Sequence, residues 1–392
     1  MMKKISYLVG NEKFNQEPFE PFSKEVCKFL NSFSLKLSKH KEIKEYPDLK
    51  SLSFWCRKKN IQKFKNAEKD LSFKIGLGLA FHITPSNIPT NFAYSLIFGL
   101  LSGNSNIIKV PTKKFKQIDI ICKILRDLLL KFTFLKGKIT ILRYQDNEKF
   151  TSELSYLCNA RVIWGGDKTI NSVRNHKIQE RAVELSFADR YSFCIMSSNK
   201  VIQMSNFEIN NLIQKFYNDT FAVDQNACSS PHLIVWIGKK SKELEKKFWQ
   251  KLYKFAKLKY NLQLFSSIEK FTNTCKYIIE QDNIKSFQNF ENLIHKIEIK
   301  NLKTDNHLMR GKWGLFFEFY SKNLNNIKNI INNKYQTLTY YGVNKEDLKK
   351  LLFKNKVKGV DRIVPVGQSL DISLNWDGYN IISSLTRTIE VR

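Results

Sequence analysis

From residue 73 onward short apolar runs alternate with longer stretches whose apolar positions recur every three or four residues, so strands alternate with helices. Strands are predicted over 74–83, 106–110, 138–144 and 161–164, with helices over 91–101, 115–132, 152–158 and 168–176 between and after them. A second unit begins near Tyr191, with strands at 191–196, 233–238 and 313–320 and helices at 206–221, 242–260 and 267–280. This order implies parallel sheets covered on both faces. The first 70 residues are more helical and highly charged, and read as a peripheral layer; the chain closes on a helix-like stretch from Ile381. No linker rich in proline, glycine or serine separates the units, which predicts two α/β domains packed with a cleft between them, where ligands bind.

Composition narrows the setting. The 392 residues are 42% hydrophobic and 13% aromatic, enough for two folded cores. The seven cysteines are scattered without a CxxC pair, so no disulfide framework and no metal site is expected, and a reducing cytoplasm fits. The N-terminus lacks the apolar length of a signal peptide, and the longest apolar run, 92–101, is too short to span a membrane. A net charge of +29 raises nucleic acid as a partner, yet the lysines are spread evenly, with no arginine-rich block and no RNA-binding motif. The same field would recruit an anionic substrate such as a coenzyme A thioester or an acidic carrier.

Four segments could carry chemistry. Asp224 to His232 joins a helix to a buried strand and sets Cys228 in a polar turn, where a thiol could act as a nucleophile and carry an acyl group as a thioester. A free cysteine also serves as a small buried hydrophobe, and this segment alone leaves both readings open. In Thr84-Pro85-Ser86-Asn87-Ile88-Pro89 two prolines stiffen the backbone around Asn87, whose amide N–H could stabilise an oxyanion or merely satisfy a turn. Lys109 ends an apolar strand, and Gly165-Gly166 lies between a strand and a helix, where backbone can approach an anion closely. Gly76-Leu77-Gly78 is not a dinucleotide fingerprint, because Phe81 stands where the last glycine belongs.

In this order, Pro85 to Pro89, Ile108-Lys109-Val110-Pro111, Gly165-Gly166, Glu184-Leu185 and Gln225 to Cys228 resemble the aldehyde dehydrogenase superfamily. More narrowly, His82 to Pro89, Gly103 to Ile107, Asp224 to Pro231 and Trp376-Asp377-Gly378 resemble the bacterial acyl-CoA reductases typified by the fatty-acid reductase of the luminescence operon. The resemblance implies an aldehyde-dehydrogenase-like α/β fold, with a dinucleotide-binding domain over 71–190 and a catalytic domain over 191–360. The segment 361–392 would return to the cleft or to an oligomer interface. It makes Cys228 the acyl-accepting nucleophile, Asn87 and the Cys228 backbone N–H the oxyanion hole, Lys109 a ribose ligand, and Gly165 and Gly166 the lining of the cofactor pyrophosphate. Glu184 opens the segment that activates water in hydrolytic relatives, but Ser186 and Phe187 follow it here, which suits reduction. His232 is a candidate for proton transfer. Where NAD-preferring relatives carry a glutamate this chain has Thr112, followed by Lys113 and Lys114, so NADPH is favoured.

The expected reaction is reduction of a fatty acyl-CoA or acyl-protein thioester to an aldehyde. The resemblance further implies a homo-oligomer and an acyl-protein synthetase as partner. A cysteine acyltransferase without a redox step, and a basic nucleic-acid-binding protein, are the competing classes.

Overall fold

The computed structural model describes residues 5–145 and 147–392, and the chain divides into two compact units, 1–189 with 373–392 and 190–372. In the part of the first that precedes residue 190, strands β1 (Ser6–Val9), β2 (Lys74–Gly76), β3 (Leu79–Ile83), β4 (Ser105–Lys109), β5 (Ile139–Arg143), β6 (Ala160–Trp164) and β7 (Val183–Phe187) form with seven α-helices among the described residues. These are α1 (Lys24–Ser38), α2 (Pro47–Trp55), α3 (Lys58–Ala67), α4 (Asn91–Leu101), α5 (Lys116–Leu129), α6 (Glu148–Leu157) and α7 (Asp167–Arg174). Six strands make one sheet in the order β1-β5-β4-β3-β6-β7, parallel except for β1. The chain winds outward from β3 through β4 and β5, then crosses to β6 and β7. The order therefore reverses between β3 and β6, and such a switch point opens a crevice beyond the carboxyl ends of the strands.

The sequence-based reading of 74–83 as one strand is corrected to two. Asn104 Oδ1 accepts from Leu77 N at 2.7 Å and Gly78 N at 3.0 Å, and Gly78 turns the chain at φ +127°. A Cβ on Gly76 would sit 2.1 Å from the Gly103 carbonyl, so both glycines serve close packing. The helical layer expected over 1–70 also contributes β1 to the sheet edge. In α1 the buried Val26, Phe29, Leu30, Phe33 and Leu37 follow helical spacing, and Ser23 caps the first turn through Val26 N.

The second unit contains β8 (Tyr191–Ser197), β9 (Pro231–Ile237), β10 (Ile284–Phe290), β11 (Ile294–Ile299), β12 (Leu315–Ser321), β13 (Tyr335–Tyr341) and β14 (Arg362–Pro365). Its helices are α8 (Ser198–Ile202), α9 (Asn206–Thr220), α10 (Lys242–Leu244), α11 (Gln250–Lys259), α12 (Leu264–Glu280) and α13 (Lys345–Lys354). The seven-stranded sheet runs β10-β11-β12-β9-β8-β13-β14, with β10 the antiparallel edge. Along β8, Phe193 and Ile195 enter one core while Cys194 and Met196 enter the other, so the strand is apolar throughout because both faces are covered. The helix expected over 242–260 is broken by a π turn at Glu245–Trp249, which brings Glu245 to 2.5 Å from Lys296 and buries Phe248 and Trp249.

The tail returns to the first unit. Strands β15 (Asn375–Trp376) and β16 (Tyr379–Asn380) make a hairpin whose tip, Asp377-Gly378, has φ of +50° and +80°, as tight two-residue turns require. The helix expected from Ile381 is only α14 (Ile381–Ser384), because β17 (Thr386–Thr388) then pairs antiparallel with β2. Among the described residues no helix is long and apolar enough to cross a membrane.

Candidate functional site

Three expected site segments of the first unit fall on adjacent strands. Asn87 is exposed in the loop after β3, Lys109 closes β4, and Gly165-Gly166 follows β6, so all three lie at carboxyl ends flanking the switch point. Thr84 ties the first two together: its N–H and its hydroxyl donate to the Lys109 carbonyl at 3.2 and 2.9 Å. The Lys109 ammonium stands 4.9 Å over the ring of Tyr144. Thr112, Lys113 and Lys114 are exposed between β4 and α5, in a loop braced by a 3.0 Å bond from Arg143 Nε to the Pro111 carbonyl.

The two glycines differ in what they answer to. A Cβ at Gly165 would press on Thr169 at 3.0 Å, so the fold itself demands a small residue there. Gly166 has an ordinary φ of −67° and nothing within 4 Å of where a Cβ would stand. Neither strain nor packing explains the second glycine, and open space beside a helix N-terminus suits an anionic ligand.

Beneath this edge runs a buried polar chain that sequence reasoning missed. Trp164 Nε1 donates to Ser95 Oγ (2.9 Å), which bonds His82 Nδ1 (2.7 Å), and His82 Nε2 reaches Asn106 Oδ1 (2.9 Å). Because Asn106 spends its amide N–H on the Asn104 carbonyl at 2.7 Å, its oxygen accepts, and His82 is neutral with the proton on Nε2. Burial holds the His82 pKa down at about 4. The chain fixes β3, β4 and β6 relative to one another, and Trp164 stacks on Phe187 with centroids 3.8 Å apart.

Glu184 lies in β7 opposite Arg161 and is occupied on both oxygens. Oε2 accepts from Arg161 at 2.5 and 2.9 Å, and Oε1 from Arg174 at 2.7 Å and Ser186 at 3.1 Å. Burial would raise its pKa, but the Arg174 and Arg161 bonds outweigh that and hold the carboxyl below its usual range. Arg161 is itself buried and also donates to the Val173 and His176 carbonyls.

In the second unit Cys228 is half-buried in the turn before β9. Burial pushes the thiols of Cys122 and Cys158 up to about 12 and those of Cys56 and Cys194 higher still, as for inert core cysteines. The turn is held in an uncommon backbone shape, with Asp224 and Gln225 both left-handed at φ +54° and +55°. Buried Gln225 pins it: Oε1 accepts from Gly314 N at 2.8 Å, and Nε2 donates to the Leu315 and Pro231 carbonyls at 3.2 and 3.4 Å. Ser192 Oγ donates to the Cys228 carbonyl at 2.6 Å while accepting from Thr337 N at 3.1 Å. Tyr260 donates to Asp224 at 2.5 Å. Gln225 and Ser192 thus hold the turn to segments distant in sequence, at Gly314–Leu315 and Thr337. His232, by contrast, is buried inside β9. Its Nδ1 donates to the Gly311 carbonyl at 2.9 Å, its ring stacks on Tyr191, and burial drives its pKa down to about 3.

Solved structures place the fold in a class. The chain is similar to a mutant 1-pyrroline-5-carboxylate dehydrogenase of Thermus thermophilus at TM-score 0.64 and 10% identity, covering 94% of this chain and 81% of that one. It is also similar to an NAD-dependent benzaldehyde dehydrogenase of Corynebacterium glutamicum (TM-score 0.61, 10% identity, 94% and 85% covered). Aldehyde dehydrogenase 21 of Physcomitrella patens, solved with succinate, gives 0.62 at 10% identity, with 93% and 84% covered. The protein thus has the aldehyde-dehydrogenase-like α/β fold with parallel-sheet domains. Within that class residues 22–388 match the family described as Acyl-CoA reductase (LuxC), and the chain belongs to this family. No curated protein sequence matches it significantly.

Proposed function

We propose that the protein reduces a fatty acyl thioester to an aldehyde with NADPH, through an acyl-enzyme on Cys228. The observation that carries reduction over hydrolysis is Glu184, whose two oxygens are engaged by Arg161 and Arg174 and which has no need of a further proton at neutral pH. A carboxylate so held is a poor base for activating water against a thioester. In this reading the Cys228 thiolate attacks the acyl carbonyl, and the oxyanion forms toward the Cys228 backbone N–H. Collapse breaks the bond to the departing thiolate of coenzyme A or a carrier protein. A reduced nicotinamide cofactor would supply hydride to the acyl carbon, and release of the Cys228 thiolate would then leave the aldehyde. Lys109, Gly165 and Gly166 hold the cofactor, with Gly166 offering the open space noted above. Thr112, Lys113 and Lys114 accept a 2′-phosphate, since no carboxylate stands there and two exposed cations do. His232, neutral, buried and bonded to the Gly311 carbonyl, is a structural residue rather than a proton carrier.

The test is cofactor oxidation followed at fixed acyl-CoA with NADPH and with NADH. Faster turnover per unit KM with NADPH is expected, and Thr112→Glu should shift the preference toward NADH by about tenfold or more, about 1.4 kcal/mol. Absence of oxidation with every acyl-CoA and either cofactor would favour the non-redox acyltransferase.

A further inference from the structure

Two left-handed pairs meet behind the Cys228 turn. On one side Asp224 and Gln225 have φ of +54° and +55°, and on the other Trp313 and Gly314 have φ of +53° and +89°. The pairs are bonded to each other: Trp313 N donates to the Asp224 carbonyl at 3.3 Å, and Gly314 N to Gln225 Oε1 at 2.8 Å. Asp224, Gln225 and Trp313 hold a conformation that residues with a Cβ rarely adopt, and such strain persists only where the surroundings impose it. Each pair has its own anchor. Buried Lys270 of α12 donates to the Trp313 carbonyl at 3.0 Å and to the Leu293 carbonyl at 3.1 Å. Tyr260, the residue that caps the end of α11, donates its hydroxyl to Asp224 Oδ1 at 2.5 Å. Its ring stands edge-on to Phe221 with centroids 4.9 Å apart, and a Cβ on Gly314 would come within 2.9 Å of that same Phe221 ring. Burial and the bond to Asp224 push the phenol's pKa up, so it remains a donor at neutral pH.

We propose that Tyr260 is a positioning residue for Cys228, acting through Asp224. The inference rests on the reading of Cys228 as the acyl acceptor. Asp224 closes the short 3-10 turn Phe221–Val223 that follows α9. Its N–H donates to the Phe221 carbonyl at 3.2 Å and the next N–H, of Gln225, to the Thr220 carbonyl at 2.9 Å. This bond pair ends a helix on a left-handed residue, a place that glycine usually fills because it has no Cβ to strain. The chain carries an aspartate there instead, and the side chain that brings the strain is the one that receives the Tyr260 hydroxyl. Only Gln225, Asn226 and Ala227 lie between that anchored carboxylate and the thiol, and the first and last of them are buried, so little slack separates the two. Tyr260 therefore fixes the point from which the Cys228 turn departs.

Tyr260→Phe keeps the ring against Phe221 and removes only the hydroxyl. Two rates measured on the full chain test the proposal: alkylation of Cys228 by iodoacetamide, located by peptide mass, and single-turnover acylation by a long-chain acyl-CoA. In the variant, alkylation of the half-buried Cys228 should rise at least about threefold as the turn loosens, with buried Cys56 and Cys194 still unlabelled. Acylation should fall about tenfold at saturating acyl-CoA, with the half-saturating concentration within about twofold of wild type. Tyr217→Phe, which removes a hydroxyl from a ring stacked on the same Phe221, should leave both rates unchanged. A smaller rise in alkylation, acylation that keeps its wild-type rate, or the same changes in Tyr217→Phe overturns the proposal. A wild type that takes up no acyl group would overturn the acyl-enzyme reading instead, and the alkylation rates alone would then decide the positioning. Should Tyr260→Phe fail to fold by circular dichroism, Asp224→Gly takes its place, since it severs the same bond and relieves the left-handed strain. The same rise in alkylation is expected there, and its absence overturns the proposal.

Discussion

Gln225 anchors three backbone groups at once, and no local pattern announces it, because Gly314 and Leu315 are 89 and 90 residues away in sequence. Gln225→Ala would leave buried donors and acceptors unmet, lowering stability by about 1–3 kcal/mol and slowing acylation of Cys228, as read by urea unfolding and single-turnover kinetics. Glu184 makes the opposite prediction. Glu184→Gln should retain acylation within a few-fold yet lose about 3 kcal/mol, because it uncovers the buried Arg161; a large loss of turnover at unchanged stability would instead mark a catalytic base. The candidate residues Cys228, Asn87, Lys109 and the glycine pair were legible in the sequence as an ordered set of short motifs. The partners of Glu184 were not, since Arg161 faces Glu184 only through sheet register.

At the scale of elements, long amphipathic helices and apolar strands followed from periodicity, while boundaries set by distant contacts did not. The break between β2 and β3 depends on Asn104, and the pairing of β2 with β17 joins residues more than 300 apart, so neither leaves a local trace. Gly76→Ala would drive a Cβ into the Gly103 carbonyl; faster hydrogen exchange over 74–76 and 386–388 is the expected outcome, with the central strands unaffected. Helix α12 shows the limit of periodicity from another side. Its pattern gives an apolar stripe, but which way the stripe faces was decided by the carbonyls that receive Lys270.

For the whole molecule, the α/β class was legible from the alternation of strands and helices, and the family from motif order. The net charge predicted no specific feature of the fold. Buried histidines contribute to the acid response. His82, His232 and His295 titrate near 4, 3 and 4, below the ordinary 6.5, because burial disfavours their charged forms. The unfolded chain then binds more protons below pH 6.5, so their contribution is complete above 6.5 and is lost as pH falls toward about 4. His295→Gln should reduce the slope of unfolding free energy in that window by about 1.4 kcal/mol per pH unit. The most direct test of the central claim is intact-mass analysis after mixing the protein with a long-chain acyl-CoA in the absence of reduced cofactor. One acyl group should appear on the wild-type chain, be absent from Cys228→Ala, and disappear from the wild type when NADPH is added, with aldehyde formed in equal amount. Acylation that survives Cys228→Ala, or an acyl group that NADPH does not discharge, would contradict it.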